Sequence, residues 1–366
     1  MIWQLERRGY HLGSIETCVN TNSVNSAETT AKHLTADEQA QAWHAGHACL
    51  IKGACLDKLE QQQQNIAQSA ALYLAVLDQI EPHLLIDRPP YSSQLDGFFE
   101  SLGSSVNEGD DQEIETVLFD AIEQGESVAQ DLWMKVSWLS FYQEDASLRF
   151  RFSFGMDHSE DVAADKHRQD YAAQLSDAVF PESQMITQNK KLTQTLKRIL
   201  NSEQVSFVER IVYFNSYQGG AYLHHDRERG HAGVVYAQLS GQTYWLALPK
   251  SALLAEIQGF VKSCQQQNKW PSQFKPRQRY ELVVLANDTN RLNAELNSFA
   301  NDNLIHLINE TKAFVQQLIS AGYGHLIETG DVLLLPQEDQ GKCCWHSVFN
   351  LGEESGQALS FAVRCS

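Results

Sequence analysis

Alternation of apolar and polar positions is the strongest pattern in the second half of this chain. Runs rich in Val, Ile, Phe and Tyr, separated by turns that contain glycine, are typical of antiparallel strands. Such runs occupy residues 205–217, 233–239, 243–248, 330–335 and 359–364. Together they predict an antiparallel barrel or jelly roll.

Helical periodicity prevails elsewhere. It predicts helices within residues 56–77, 110–133 and 165–200, whereas residues 84–102 carry Pro, Gly and Ser and indicate a loop or boundary. Two more helical stretches, 251–267 and 287–319, fall between barrel strands. The predicted fold class is therefore α+β. A mainly helical N-terminal region, residues 1–140, packs on a jelly-roll domain, residues 141–366, which carries a helical insertion between barrel strands at about 251–329.

One short strand precedes the barrel. Residues 149–154 alternate strictly, so three phenylalanines point to a core and Arg149 and Arg151 point to the opposite face. If that face looks into the barrel, either arginine could bind an acidic group of a substrate. Exposure of this face to solvent is the alternative.

A His-x-Asp pair lies on one of the barrel segments. Side chains two apart in a strand point the same way, so His224 and Asp226 share a face. His346, near the C-terminus, could complete a two-histidine, one-carboxylate triad, which leaves metal positions open for substrate and oxygen. His225 points away in a regular strand and takes a packing role, although a bulge would make it the ligand instead of His224.

These segments resemble a known family. Residues 241–249 following the His-x-Asp pair resemble the double-stranded β-helix of the cupin-like Fe(II)/2-oxoglutarate dioxygenases, including the JmjC-like hydroxylases. The run from Gly330 through His346 to Arg364 is similar to the distal half of that superfamily. The resemblance covers roughly residues 205–250 and 328–366. It implies Fe(II) held by the catalytic residues His224, Asp226 and His346, with 2-oxoglutarate as co-substrate.

The resemblance also bears on the residue that anchors 2-oxoglutarate. The JmjC-like branch usually has a lysine on the strand after the His-x-Asp pair, where this chain has Thr243; other branches use an arginine on the last strand, which Arg364 fits. Arg364 shares its face with small residues, and a guanidinium matches a carboxylate bidentately. A solvated terminal arginine is the alternative. The further residues expected at the cofactor are Tyr213, Asn215, Tyr222 and Thr243.

The composition of the chain limits the classes of binding partner that we expect. The 366 residues are 43% hydrophobic, enough for a substantial core, and the net charge of −18 opposes binding to nucleic acid. No apolar run reaches membrane-spanning length and the N-terminus lacks an apolar signal core, so we expect a cytoplasmic protein without a membrane partner. Seven irregularly spaced cysteines indicate neither a disulfide framework nor a zinc ribbon.

The expected function is that of an Fe(II)- and 2-oxoglutarate-dependent oxygenase that hydroxylates a C–H bond of an amino acid, peptide or small metabolite. Two alternatives remain: a cupin-type metal enzyme that does not use 2-oxoglutarate, and a non-catalytic metal-binding module. The insertion could form a lid or a homodimer surface at the barrel mouth, or it could cover an exposed sheet face.

Overall fold

The structure is a computed structural model that describes residues 2–7, 10–16, 36–139, 145–155, 165–227, 231–339 and 341–365. Its strands are β1 Ile2–Arg7, β2 Tyr10–Glu16, β3 Cys49–Ile51, β4 Phe99–Ser105, β5 Glu113–Glu123, β6 Glu126–Trp138, β7 Leu148–Phe154, β8 Val205–Asn215, β9 Gly220–His224, β10 Gly233–Gln238, β11 Gln242–Pro249, β12 Gly324–Ile327, β13 Val332–Pro336, β14 Cys344–Leu351 and β15 Gly356–Cys365. Its helices are α1 Ala36–His44, α2 Leu56–Leu77, α3 Pro82–Ile86, α4 Tyr91–Leu95, α5 Lys166–Val179, α6 Gln184–Thr187, α7 Lys190–Ile199, α8 Lys250–Gln267, α9 Pro276–Ala286, α10 Thr289–Ser298, α11 Asp302–Glu310 and α12 Lys312–Ser320.

Strands β8 to β15 form two antiparallel sheets. One contains the order β13-β10-β15-β8, and the other has the order β12-β11-β14-β9. Successive strands mostly cross from one sheet to the other, which is the arrangement of a jelly roll. The antiparallel sheets predicted from the alternating segments are therefore present, and together with the helices they give a mixed α+β fold.

The larger sheet extends beyond these eight strands. Strand β3 pairs with β13 on one side, and β7, β6, β5 and β4 continue the sheet from β8 on the other, which gives nine strands. The outer face of this sheet packs against α2, α5 and α7. Phe150, Phe152 and Phe154 of β7 are buried in that layer, as the alternation predicts, whereas Arg149 and Arg151 point to the opposite face.

The helix predicted over residues 110–133 is wrong, because this segment forms strands β5 and most of β6. In β5 the buried side chains alternate through Val117, Phe119 and Ala121. A two-residue turn follows, in which Gln124 and Gly125 both have positive φ angles, the geometry of a type I′ hairpin. Acidic residues before the strand imitate a helix N-terminus. The described part of residues 1–140 is consequently not mainly helical, since it holds six strands beside four helices, and part of the expected loop at 84–102 is helical.

Helices α8 to α12 lie between β11 and β12. Residues 324–327, expected within the insertion, instead form strand β12 of the smaller sheet. The helical stretch predicted over 287–319 divides into three helices, with a break at Phe299, whose φ is 50°. These helices bury their apolar side chains against the outer face of the smaller sheet, including Leu246, Leu248 and Phe349. Among the described residues, no helix is long and apolar enough to cross a membrane.

Gly220, the first residue of β9, permits a close approach between two strands. Its φ is +134°, and a Cβ atom there would lie 2.1 Å from the carbonyl oxygen of Val348 in β14. We expect Gly220→Ala to lower the free energy of unfolding by about 2–3 kcal/mol, through backbone strain and this clash. Urea denaturation of the metal-free protein measures the change.

Gly259 provides the control, because it lies within α8 and a Cβ there would meet no atom within 4 Å. Gly259→Ala should raise stability by roughly 0.5–1 kcal/mol, since alanine favours a helix interior. Equal unfolding midpoints for wild type and Gly220→Ala would show that the strand pair tolerates a side chain.

Candidate metal centre

The pairing of β9 with β14 brings two histidines together. His224 is the last residue of β9, and its register partner in β14 is His346. Asp226 lies two residues past the end of β9 and turns between them. Its Oδ1 is 3.3 Å from Nε2 of His224, and its Oδ2 is 3.2 Å from Nε2 of His346. One potential ligand atom from each residue lies within 4.8 Å of the others.

Backbone carbonyl groups orient both imidazole rings. Nδ1 of His224 is 2.6 Å from the carbonyl oxygen of Tyr222, and Nδ1 of His346 is 3.4 Å from that of Cys344. A proton on Nδ1 can be donated to each carbonyl, and Nε2, the ring atom nearest Asp226, would then be available to a metal ion. The His346 ring also stacks on Trp245, with a centroid distance of 5.2 Å. This is the support that metal-binding histidines usually have.

The spacing of the three side chains fits a metal ion. Two ligands at right angles, each about 2.1 Å from one ion, lie roughly 3.0 Å apart. The two histidine–carboxylate distances are close to that value. Two imidazole nitrogens and one carboxylate oxygen suit Fe(II), Mn(II) or Zn(II), and a three-residue set leaves coordination positions for other ligands.

The three groups shift one another's protonation. Burial opposes a charge on His224, but the hydrogen bond and negative charge of Asp226 prevail and raise the pKa of His224. Burial and the charge of His224 lower the pKa of His346. Burial alone would raise the carboxyl pKa, yet the two histidines hold the pKa of Asp226 well below its usual value. The carboxyl group of Asp226 is therefore held as an anion between the two histidine rings.

His225 lies on the other side of β9 from this cluster. Its ring meets Trp345 edge to face at a centroid distance of 5.1 Å, and its Nδ1 accepts a hydrogen bond from the amide of Arg227. The packing role expected for a regular strand is therefore the arrangement in the structure. His225 is not among the three clustered side chains.

A cavity of about 610 Å³ opens beside the three residues, between the two sheets. Its wall is mainly apolar and aromatic. Of the residues expected at the cofactor, Tyr213, Asn215 and Tyr222 line it. Burial raises the pKa of Tyr213 to about 12, so its hydroxyl stays neutral. The Tyr222 hydroxyl donates to Glu310 at 2.6 Å, which ties that side chain to the insertion.

Thr243 and Arg364 do not line the cavity. The Thr243 hydroxyl is fully buried, donates to Gln238 and accepts from the Trp245 indole at 3.0 Å. Arg364 lies behind His231, with Nη2 of the arginine 3.2 Å from Nε2 of the histidine. Burial and the charge of Arg364 lower the pKa of His231 to about 4, so His231 is neutral at pH 7 and can accept that hydrogen bond.

Several cavity residues carry no sequence signal of their own. His231 lies between β9 and β10 outside any spacing motif, yet it lines the cavity beside the cluster. Phe299 belongs to the insertion and reaches the cavity while stacking on Trp345 at 5.3 Å. For Arg149 and Arg151 the sequence signal is the alternation along β7, which places them on the face opposite the phenylalanines. Both arginines line the cavity.

Fold and site together define a jelly-roll protein with a His-x-Asp pair and a distal histidine at one end of a cavity. No family model matches the sequence, and no curated protein matches it. Several solved structures resemble the chain. An oxidoreductase of the 2OG-Fe(II) oxygenase family from Burkholderia pseudomallei is 8% identical, with 91% of this chain and 92% of that chain covered and a TM-score of 0.34.

Two further oxygenases are similar at the same remote level. A prolyl hydroxylase from Trichoplax adhaerens, in complex with a hypoxia inducible factor peptide, is 11% identical over 90% of this chain and 88% of its own, with a TM-score of 0.29. The ribosomal oxygenase YcfD from Escherichia coli is 12% identical over 78% of this chain and 44% of its own, with a TM-score of 0.24. Identities and TM-scores this low do not define a reaction for this chain.

The charge coupling between Asp226 and His224 can be measured without metal. Because Asp226 raises the pKa of His224, Asp226→Asn should lower it. Histidine titration by NMR in the presence of a chelator reports the change. Asp57→Asn is the matched control, because the Asp57 side chain is 90% exposed, and it should leave His224 unchanged. An identical His224 titration in wild type and Asp226→Asn would rule out the contact.

Proposed function

We propose that the protein is an Fe(II)- and 2-oxoglutarate-dependent oxygenase that hydroxylates a C–H bond. The observation that carries the proposal is the arrangement of His224, Asp226 and His346 at the wall of a 610 Å³ cavity, with one potential ligand atom of each within 4.8 Å of the others. The cavity has room for an amino acid, a peptide side chain or a small metabolite.

In the proposed reaction, 2-oxoglutarate supplies two electrons and accepts one atom of O₂. Substrate, 2-oxoglutarate and O₂ become hydroxylated substrate, succinate and CO₂, and the bound Fe(II) supplies the activation of oxygen. The three side chains of this chain hold the ion, while the Tyr222 and Cys344 carbonyl groups fix the imidazole rings. Trp245, Val348 and Phe299 provide an apolar part of the cavity wall beside these residues.

The distal carboxylate of 2-oxoglutarate requires a basic anchor, and Arg364 with His231 forms the proposed one. A neutral His231 that accepts from Arg364 at Nε2 carries its proton at Nδ1, and this N–H is available to a carboxylate in the cavity. Arg364 then acts both through His231 and through its own charge. Ala362, two residues earlier on the same face of β15, lines the cavity.

A metal enzyme of the cupin type that does not use 2-oxoglutarate is the second candidate. It is favoured by one observation: the position where JmjC-like relatives carry a lysine is Thr243, whose hydroxyl is already occupied by Gln238 and Trp245. Iron binding with oxygen consumption that does not depend on 2-oxoglutarate would select this candidate. A non-catalytic binding module would bind the metal and consume no oxygen in either condition.

We expect His224→Ala, Asp226→Ala and His346→Ala each to lose stoichiometric Fe(II), because each removes one of three ligands. Elemental analysis after anaerobic loading measures occupancy, and circular dichroism checks the fold. His225→Ala is the matched control, since His225 is adjacent in sequence but packs on Trp345, and it should retain the metal. Full Fe(II) occupancy in the His346→Ala protein would show that His346 is not a metal ligand.

Arg364→Ala should weaken 2-oxoglutarate binding by roughly tenfold to a thousandfold or more, because a buried charged partner of a carboxylate is lost. Co-substrate titration of turnover, and calorimetry on Mn(II)-loaded protein, measure the change. Arg277→Ala is the control, because that guanidinium is 90% exposed on α9. If affinity is the same in the Arg364→Ala and control proteins, the anchor lies elsewhere.

A further inference from the structure

The inner face of the larger sheet continues past the jelly roll onto β7. Strand β7 pairs with β8, so that Arg149 lies opposite Tyr213 and Arg151 lies opposite Ile211. All four side chains line the same cavity as the candidate metal centre. The histidines come from β9 and β14 of the smaller sheet, and the arginines come from the larger sheet, so they occupy opposite walls.

Two arginines and one glutamate of the larger sheet line the cavity: Arg149, Arg151 and Glu209. Arg151 is paired with Glu209, with Nη2 and Oε2 3.0 Å apart. The next cation along this face, Lys135, is paired with both Asp110 and Glu113. Arg149 instead donates from Nε to the hydroxyl of Ser137 at 3.0 Å. Within the part of the chain that the structure describes, no carboxylate forms an ion pair with Arg149.

The other carboxylate at this cavity, Asp226, does not form an ion pair with Arg149 either. Both oxygens of Asp226 are directed at His224 and His346 on the opposite wall. Burial of a guanidinium against an apolar cavity without an anion is unfavourable, whereas a bound anion would be held by charge-assisted hydrogen bonds. One anionic group in the cavity would therefore give Arg149 the ion pair that it lacks among the described residues.

We propose that Arg149 binds a carboxylate group of the organic substrate and that this substrate has an apolar body. This inference rests on the proposed function, because it makes the cavity beside the metal centre the substrate site. A carboxylate is favoured over a phosphate monoester because a single guanidinium without an ion pair, that of Arg149, faces the ligand, whereas a phosphate monoester carries about two negative charges. The apolar body fits against Ile211, Val234, Leu335 and Val348, which line the space between the two walls.

Matched small molecules test the site without any turnover. The probes are 3-phenylpropanoate, its neutral isostere 3-phenylpropanamide, and 2-phenylethyl phosphate, each titrated into full-length protein with a chelator and followed by NMR or calorimetry. Wild type should bind the carboxylate at least tenfold more tightly than the amide, because a hydrogen bond to a charged group is lost with the amide. Tighter binding of the phosphate than of the carboxylate would overturn the assignment of ligand class.

The variants locate the contact. Arg149→Met keeps an apolar stem and should reduce carboxylate binding to the level of the amide, while Arg149→Lys keeps the charge without the fork and should give an intermediate value. Arg277→Ala should match wild type, and circular dichroism verifies that each variant folds. Unchanged carboxylate binding in both Arg149 variants would overturn the proposal.

Titration of turnover separates Arg149 from the co-substrate anchor. In Fe(II)-loaded protein, the Arg149→Met change should leave the KM for 2-oxoglutarate within about twofold of wild type. A KM for 2-oxoglutarate raised tenfold or more, with probe binding to the metal-free protein unchanged, would make Arg149 the co-substrate anchor and overturn the proposal. If the protein binds no Fe(II) but probe binding still depends on Arg149, the proposed function fails while the carboxylate site stands.

Discussion

The register between β9 and β14 is the constraint on which the site depends. It places His224 directly opposite His346, and a shift by one residue would turn one imidazole to the other face of the smaller sheet. Gly220 allows the two strands to approach at the start of β9, where a side chain would meet the Val348 carbonyl. The position of the candidate metal ligands is thus set by backbone pairing several residues away from them.

Asp226 converts this pairing into a binding site. Two imidazole rings alone would provide no negative charge for a cation. The carboxylate of Asp226 lies between their Nε2 atoms, where it contacts both rings and supplies that charge. The cost of holding that carboxylate away from water is offset by the histidines, which is why its pKa is depressed although burial acts in the other direction. A bound divalent cation would stabilise the Asp226 carboxylate in the same way, with a larger positive charge.

Period-2 reasoning predicted those parts of the molecule in which one strand face is buried and the other lines the cavity. It separated the phenylalanines of β7 from Arg149 and Arg151, and it brought His224 and Asp226 to one side. It failed for β5 and β6, where an acidic lead-in and the weak turn signal Gln124-Gly125 conceal a hairpin. Parity also could not show how deep a side chain lies, because Thr243 and Trp245 share a face yet only Trp245 reaches the cavity.

The helical insertion covers the edge of the smaller sheet at β9, next to the site. Among the residues that the structure describes, β9 is the outermost strand of the smaller sheet, so one side of its backbone has no neighbouring strand there. The insertion supplies a partner, because the side-chain oxygen of Asn309 accepts from the Leu223 amide at 2.7 Å. The same insertion carries Phe299 into the cavity wall. Any movement of these helices would therefore act on both the cavity wall and the strand that carries His224, because the insertion contacts both.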